Sequence, residues 1–445
     1  MLNKVRGLHQ LLNQKFQYHK VILHFPNYLL NRNFPNKKNK LNLNGSKFEI
    51  VALGAKNKSK KRNFNVKKYQ WISNFSDLEK NYDKPDVIIE TIGGTGTYIN
   101  KLYSYCIKNG ISLITANKAQ LAENGEKYFA QFDSQKLYLG FEAAVLGAVP
   151  VVRSIEQSIL PAKVKSIYGI FNGTTNYIIS QMYGNKISFQ ESLNQAIKSG
   201  FAEQDSSADL SGKDATHKLV LLSNLSFGNK FSFSDINYDG IENIKLIDLE
   251  QGLKLGYKLK LVSLTERHSN SKFYSSVAPC FVPENSLIAK TDFEENVITL
   301  EGDDFIKTSL VGKGAGGYPT ATSIISDLKR YAAQNQYQGV FQYNYSSMSK
   351  AKYLNRSDRK RPYYLRMSVL NKVGVLKSIA QIFAQKSISI KSIIQLNTSN
   401  EKTVPIIIIS DPVGVDKINL VTQNLKKTSF LKKEISVIRI EEDIG

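Results

Sequence analysis

The chain has 445 residues, a formal net charge of +22, and 42% hydrophobic and 22% charged residues, an ordinary composition for a globular protein of two or three domains. No apolar run approaches the ~18 residues of a membrane-spanning helix. Cys106 and Cys280, with no CxxC and no Cys/His cluster, give no basis for a zinc site or a disulfide framework, and read as free thiols in a reducing, cytoplasmic setting. The positive charge is spread along the chain and not gathered into a basic–aromatic module, so neither nucleic acid nor a membrane surface is an expected partner.

Residues 1–47 read as an atypical basic leader, with no acidic residue up to Phe48. It lacks the Ser and Arg richness of a transit peptide and the apolar core of a secretory signal. From Phe48 the pattern becomes that of an α/β protein. Phe48 to Leu53 is a short apolar strand, a basic loop follows, and Asp86 to Ile92 is a second strand running into Gly93-Gly94. Tyr98 to Asn109 has apolar residues every three to four positions, the period of a helix, and Gly110 stands where a C-cap belongs. Further strands at Ile111–Thr115 and Leu137–Glu142 complete a doubly wound parallel sheet over 48–150. Residues 151–345 read as an α+β domain, with helices over 174–183, 188–199 and 211–228. Residues 346–361, polar and basic, read as a linker. A compact βαββαβ pattern fills 362–445.

Chemistry concentrates in Gly200-Phe201-Ala202-Glu203-Gln204-Asp205, continuing through Asp209 to Asp214 and Lys218. Asp214 and Lys218 are four apart on one helix face. Spacing alone favours a solvated ion pair. The positions of glycine and glutamate do not fit a calcium loop.

This segment resembles the substrate-binding signature of homoserine dehydrogenases at every constrained position. Thr115-Ala116-Asn117-Lys118-Ala119, Phe141 to Pro150, Asn172 to Tyr177 and Gly314 to Ala321 match the same family in order, so the resemblance covers 48–445. It implies an enzyme that interconverts L-homoserine and L-aspartate 4-semialdehyde with NAD(P), by moving one hydride and one proton. By the same resemblance, Lys218 handles the proton and Lys118 is the second lysine near the reacting oxygen and the nicotinamide. Glu203 and Asp214 hold the amino-acid part of the substrate, and Asp209 supports them. Ile92, Gly93, Lys118, Gly200 and Gly317 face the cofactor. A monovalent cation, typically Na⁺, is implied at Glu142 and the carbonyls of Val145, Gly147 and Val149, a set of hard oxygen donors. Lys56 and Lys58, in an acid-free loop after the Phe48–Leu53 strand, suggest the 2′-phosphate of NADP. Asn371 to Leu376 resembles the ligand turn of ACT domains, which bind amino acids and commonly pair between chains; the implied effector is L-threonine and the implied assembly a homodimer or homotetramer.

The resemblance breaks at the start. A dinucleotide fold opens with a strand and G-x-G-x-x-G, so the backbone can approach the pyrophosphate. Before Phe48 only Gly7 and Gly45 occur. Val21 to Phe25 could pass as a strand, but Pro26-Asn27-Tyr28 follows it. The first strand and glycine loop therefore read as missing. Either the reading frame before about residue 46 is wrong, or the pyrophosphate site has been lost and what remains is an impaired amino-acid-binding protein.

Overall fold

The computed structural model describes residues 18–24, 40–43, 46–55, 58–59, 67, 69–80, 84–158, 163–269, 272–333, 337–396 and 402–444. They fall into two compact units: residues 1–157 with 315–348, and residues 158–314 with 349–445.

The first unit is built on strands β1 (Tyr18–His24), β2 (Lys40–Leu43), β3 (Ser46–Gly54), β4 (Gln70–Ile72), β5 (Val87–Glu90), β6 (Ser112–Thr115) and β7 (Leu139–Gly140). The spatial order is β4 beside β3, then β1, β5, β6 and β7, all parallel. β2 adds an antiparallel strand on β3. Counted without β2, this is the order 3-2-1-4-5-6 of dinucleotide-binding sheets, whose ligands lie where the winding reverses, here between β1 and β5. The expectation of a missing first strand is thereby corrected. Tyr18–His24 takes the central position, pairing Val21 to Val87 on one side and to Ile50 on the other. Non-local pairing supplies what a basic, polar segment does not advertise locally. The expected glycine loop falls at 25–39, outside the described residues.

Every residue of β5 and β6 is buried, as in a parallel strand covered on both faces. One cover is the helix Gly317–Ala333, whose Ala321, Ile324 and Leu328 join Phe48, Ile50, Val87 and Ile114 in a single core. The continuous range 151–345 is thus divided: residues 315–348 close the nucleotide-binding unit, because this apolar stripe covers its sheet.

The second unit holds an 11-stranded sheet in the order Ile306–Lys313, Glu295–Gly302, Val164–Ile170, Tyr257–Ser269, Lys272–Pro283, Ser436–Ile440, Tyr363–Leu370, Thr403–Ser410, Ile390–Gln395, with two short strands alongside. The last four belong to the C-terminal βαββαβ module, with helices Val375–Gln385 and Val415–Lys426 over a core that includes Ile379, Phe383, Ile418 and Val421. The module is not a separate bead. Its final strand pairs in parallel with Lys272–Pro283, Cys280 opposite Arg439 and Phe281 opposite Ile440.

Residues 346–361 are not a free linker either. Ser349–Lys350 pairs with Asn229–Lys230, and Lys352–Tyr353 with Lys272–Phe273. Arg359 is buried, with both terminal nitrogens 2.8 Å from the Glu441 carboxylate and its Nε donating to Glu266 at 2.9 Å. Of the basic residues that suggested solvent exposure, Arg359 and Arg361 meet the buried Glu441, while Lys350, Lys352, Arg356 and Lys360 are exposed. Cys106 and Cys280 are free and buried; burial pushes the Cys280 thiol up to about 11. Among the described residues no helix is long and apolar enough to cross a membrane.

Candidate active site

In the second unit, strand Val164–Ile170 runs through Phe171 and Asn172 into helix Gly173–Asn185. Asn172 is that helix's N-cap: its Oδ1 accepts from the Thr175 amide at 2.8 Å. Its Nδ2 donates to Asp209 Oδ1 at 2.6 Å and to Asp214 Oδ2 at 2.8 Å. The Lys218 ammonium closes the circuit, 2.8 Å from Asp214 Oδ2 and donating to the Phe171 carbonyl at 2.6 Å. Gly212, at φ +84, turns the chain into helix Lys213–Phe227, which carries both Asp214 and Lys218; a Cβ there would stand 3.1 Å from the Asp239 carbonyl.

The Asp214–Lys218 pair is not the solvated surface pair that spacing suggested. The two side chains are 9% and 8% exposed. A buried pair persists only where further hydrogen bonds satisfy it, and Asn172 and Phe171 provide them. A lysine ammonium has three N–H donors. Two are spent here, and among the described residues the third is uncommitted. Asn172 carries no role in the sequence reading; its signal is an N-cap asparagine at the end of a strand. Glu203 is exposed and makes no hydrogen bond to this cluster among the described residues; Gly200, also exposed, sits at φ +76.

In the first unit, Glu90 ends β5 fully buried, opposite His24 in register across the winding reversal. It accepts from the Ile92 and Gly93 amides, at 2.5 and 3.1 Å, and from Thr115 Oγ1 at 2.7 Å. Thr115 Oγ1 accepts in turn from the Asn117 amide and the Tyr103 hydroxyl. Asn117 caps helix Lys118–Ser134 and ties its Nδ2 to the Gly94 carbonyl at 2.8 Å. Burial pushes the Glu90 carboxyl up, while the hydrogen bonds from Thr115, Gly93 and Ile92 pull the other way. Glu90 is therefore the anchor that fixes both the Ile92–Gly93 turn and the start of the helix where Lys118 lies half-buried. Its sequence signal was a lone acid closing an apolar strand before Gly-Gly. Gly93, Gly94 and Gly96 leave open space where a Cβ would stand, so a flat ligand can lie against this backbone. Gly317 opens the covering helix of the same unit. Lys58 lies exposed in a turn after β3; Lys56 lies outside the described residues.

Glu142 is buried at 2% exposure, and its two carboxylate oxygens accept from the Val152 and Arg153 amides at 2.9 and 3.0 Å, the N-terminus of helix Val151–Ser158. Its own amide donates to Asp327 Oδ2 at 3.1 Å. Burial raises the Asp327 carboxyl well above its usual range, and the neighbouring Glu142 charge raises it further. Gly147, at φ +58, offers its carbonyl to Ser323 Oγ at 2.5 Å, and the Val149 carbonyl accepts from the Val151 amide at 2.8 Å. The donor set is all oxygen and each Glu142 oxygen keeps acceptor capacity beyond its amide bond, so these residues fit a hard cation.

A 3-2-1-4-5-6 sheet and a unit presenting a buried lysine–carboxylate–asparagine circuit, fused to a βαββαβ module, define a nucleotide-dependent oxidoreductase with an appended ACT-type domain. Known proteins agree. The description "Homoserine dehydrogenase" matches residues 150–328, "Homoserine dehydrogenase, NAD binding domain" residues 34–140, and "AHAS small subunit-like ACT domain" residues 365–430. The homoserine dehydrogenase of Neisseria gonorrhoeae is 31% identical over 361 residues, 80% of this chain and 82% of its own. That of Bacillus subtilis is 29% identical over 399 residues, 89% of this chain and 91% of its own. The crystal structure of a homoserine dehydrogenase from Thiobacillus denitrificans superimposes with a TM-score of 0.84 at 26% identity, covering 97% of this chain and 99% of that one. The chain belongs to the homoserine dehydrogenase family.

Proposed function

We propose that this protein interconverts L-homoserine and L-aspartate 4-semialdehyde, with Lys218 moving the proton. The observation that carries the assignment is the ammonium of Lys218, held by Asp214 and the Phe171 carbonyl with one N–H left for a ligand. In the reducing direction that N–H donates to the aldehyde oxygen as it becomes an alcohol; in the oxidising direction the amine takes the hydroxyl proton. The nicotinamide, when bound, exchanges the hydride. Asp214 and Glu203 receive the substrate's α-ammonium, with Asp209 and Asn172 holding Asp214 in place. On the first unit Lys118, Ile92, Gly93 and Gly317 are the residues assigned to the cofactor, and on the second unit Gly200. The test is homoserine-dependent reduction of the coenzyme by the purified protein; no turnover at any homoserine concentration would sink the reading.

NADP is the preferred coenzyme in this proposal, since the loop after β3 carries Lys56 and Lys58 and no acid. The expected result is kcat/KM for NADP⁺ at least about tenfold above NAD⁺, a ratio of ~1.4 kcal/mol. Equal values would refute the preference.

Glu142 with the carbonyls of Val145, Gly147 and Val149 is the proposed Na⁺ site. Exchanging choline chloride for NaCl at constant ionic strength raises the thermal midpoint, because a ligand bound only by the folded state stabilises it. The shift disappears in Glu142→Gln. A midpoint indifferent to the cation would remove the site.

The effector proposed at Asn371–Leu376 is L-threonine, and the assembly a homodimer or homotetramer. One observation favours a second reading: no glycine occurs from Phe25 to Leu43, where the pyrophosphate loop belongs. An amino-acid-binding protein without turnover would bind threonine yet leave the coenzyme unreduced.

A further inference from the structure

A cavity of about 730 Å³ lies within the second unit, walled by strand Lys272–Pro283 and the 239–245 segment on one side and by the ACT-type module on the other. It is distinct from the Asn371–Leu376 turn, none of whose residues lines it. Two polar groups on strand Tyr363–Leu370 border it. Arg366, 7% exposed, commits Nε and Nη2 to Asp248 at 2.6 and 2.9 Å and keeps Nη1 off that carboxylate. The Tyr363 side chain is 6% exposed, and among the described residues its hydroxyl makes no hydrogen bond; only its backbone amide does, to Ser410 Oγ. Arg439 and Arg359, both buried, add two more guanidinium groups to this wall. The exposed acids Asp239, Glu242 and Glu434 line it as well.

The buried part of the lining carries guanidinium groups, and the exposed part mixes the carboxylates of Asp239, Glu242 and Glu434 with the cations Lys245 and Arg356. The cavity thus offers partners to both a carboxylate and an ammonium. We propose that it binds a free α-amino acid, its carboxylate on Arg366 and the Tyr363 hydroxyl and its ammonium at the exposed carboxylates. The Arg366 fork is spent on Asp248, so the ligand's carboxylate would take one charge-assisted hydrogen bond from Nη1 and a second from the Tyr363 hydroxyl. The bound molecule would bridge Tyr274, on a strand of the catalytic sheet, and Tyr363, on the first strand of the module. The two strands are already joined through Ser436–Ile440. Such a ligand would report to the catalytic sheet by a route separate from the turn.

The inference deepens the proposed activity by adding a regulatory site, but its test needs no turnover, so an inactive enzyme would not count against it. Isothermal titration of the full chain with the twenty L-amino acids, each beside the amine lacking its carboxylate and the hydroxy acid lacking its ammonium, gives the first result. At least one amino acid binds and both truncated partners bind at least about tenfold more weakly. Tyr363→Phe and Glu434→Gln each weaken that binding at least about threefold. Glu434 is exposed, so its variant folds as the parent does. Asn371→Ala, at the turn, leaves this binding in place. The proposal is overturned if no amino acid binds, if the hydroxy acid binds as tightly as the amino acid, or if binding is lost in Asn371→Ala but untouched by both cavity variants.

Discussion

Replacing Lys218 by alanine lowers kcat for homoserine oxidation by about 10²–10⁴-fold, the range expected when a positioned acid–base group is removed. KM changes less, because Asp214 still receives the substrate's ammonium in the proposed arrangement. The alanine also leaves Asp214 buried without its cation, so a fold defect has to be separated from a chemical one. Lys218→Arg does that. Arginine keeps the positive charge beside Asp214 but does not give up its proton near neutral pH, so the fold is retained while turnover falls. The measurement is kcat in both reaction directions, with circular dichroism of each variant. A Lys218→Arg enzyme working at more than about half the parental rate would exclude Lys218 as the proton-transfer group.

Glu441→Ala is expected to destabilise the second unit by about 3–5 kcal/mol, the cost of stripping the partner from buried charges. Glu441 is fully buried and accepts from both terminal nitrogens of Arg359 and from Arg361 Nε, and it pairs with Arg439. Burial alone would raise its carboxyl; Arg439 and then Arg359 overcome that and hold it down at about 2. A carboxyl whose folded value lies below its unfolded value contributes stability above the unfolded value, near 4.5, and loses it as pH falls toward 2. The full contribution, about 3 kcal/mol at ~1.4 kcal/mol per pH unit, is present at neutral pH. Urea midpoints from pH 7 down to pH 2.5 test this. The parent loses stability below about pH 4.5, and Glu441→Ala starts low and loses less over the same window. Parallel curves for the two proteins would refute the role assigned to Glu441.

Local signals carried much of the fold. Helix Thr97–Lys108 was readable because Ile99, Leu102, Tyr103 and Cys106 repeat on one face and are indeed buried, and the βαββαβ order read over 362–445 is the order observed. What failed was context. Asp214 and Lys218 declare an i,i+4 pair, but their burial depends on Phe171, 47 residues away, and on Asn172. Tyr18–His24 looks like leader because its identity as a strand comes from β3 and β5. The basic run at 346–361 looks like a linker because its counter-charges, Glu266 and Glu441, are remote in sequence. Of the residues the sequence singled out, Lys218, Asp214 and Asp209 are brought into one cluster. The site was not legible where backbone geometry decides, as with Asn172 and Glu90.

The parallel pairing of Cys280 with Arg439 also sets a timetable for synthesis. Arg439 donates to the Cys280 sulfur across 159 residues, and the strand that bears it ends at Ile440 of a 445-residue chain. A ribosome adding about 5–20 residues per second takes roughly 8–30 seconds to cover that gap. Throughout it, strand Lys272–Pro283 waits with one edge lacking its late partner, and an open edge is a template for the wrong chain. The nucleotide-binding unit waits too, since its covering helix Gly317–Ala333 emerges only after residues 158–314. Neither unit can finish folding from a continuous stretch as it leaves the ribosome, so yield in the cell should depend on how fast the last third of the message is translated and on chaperones that hold the waiting edge.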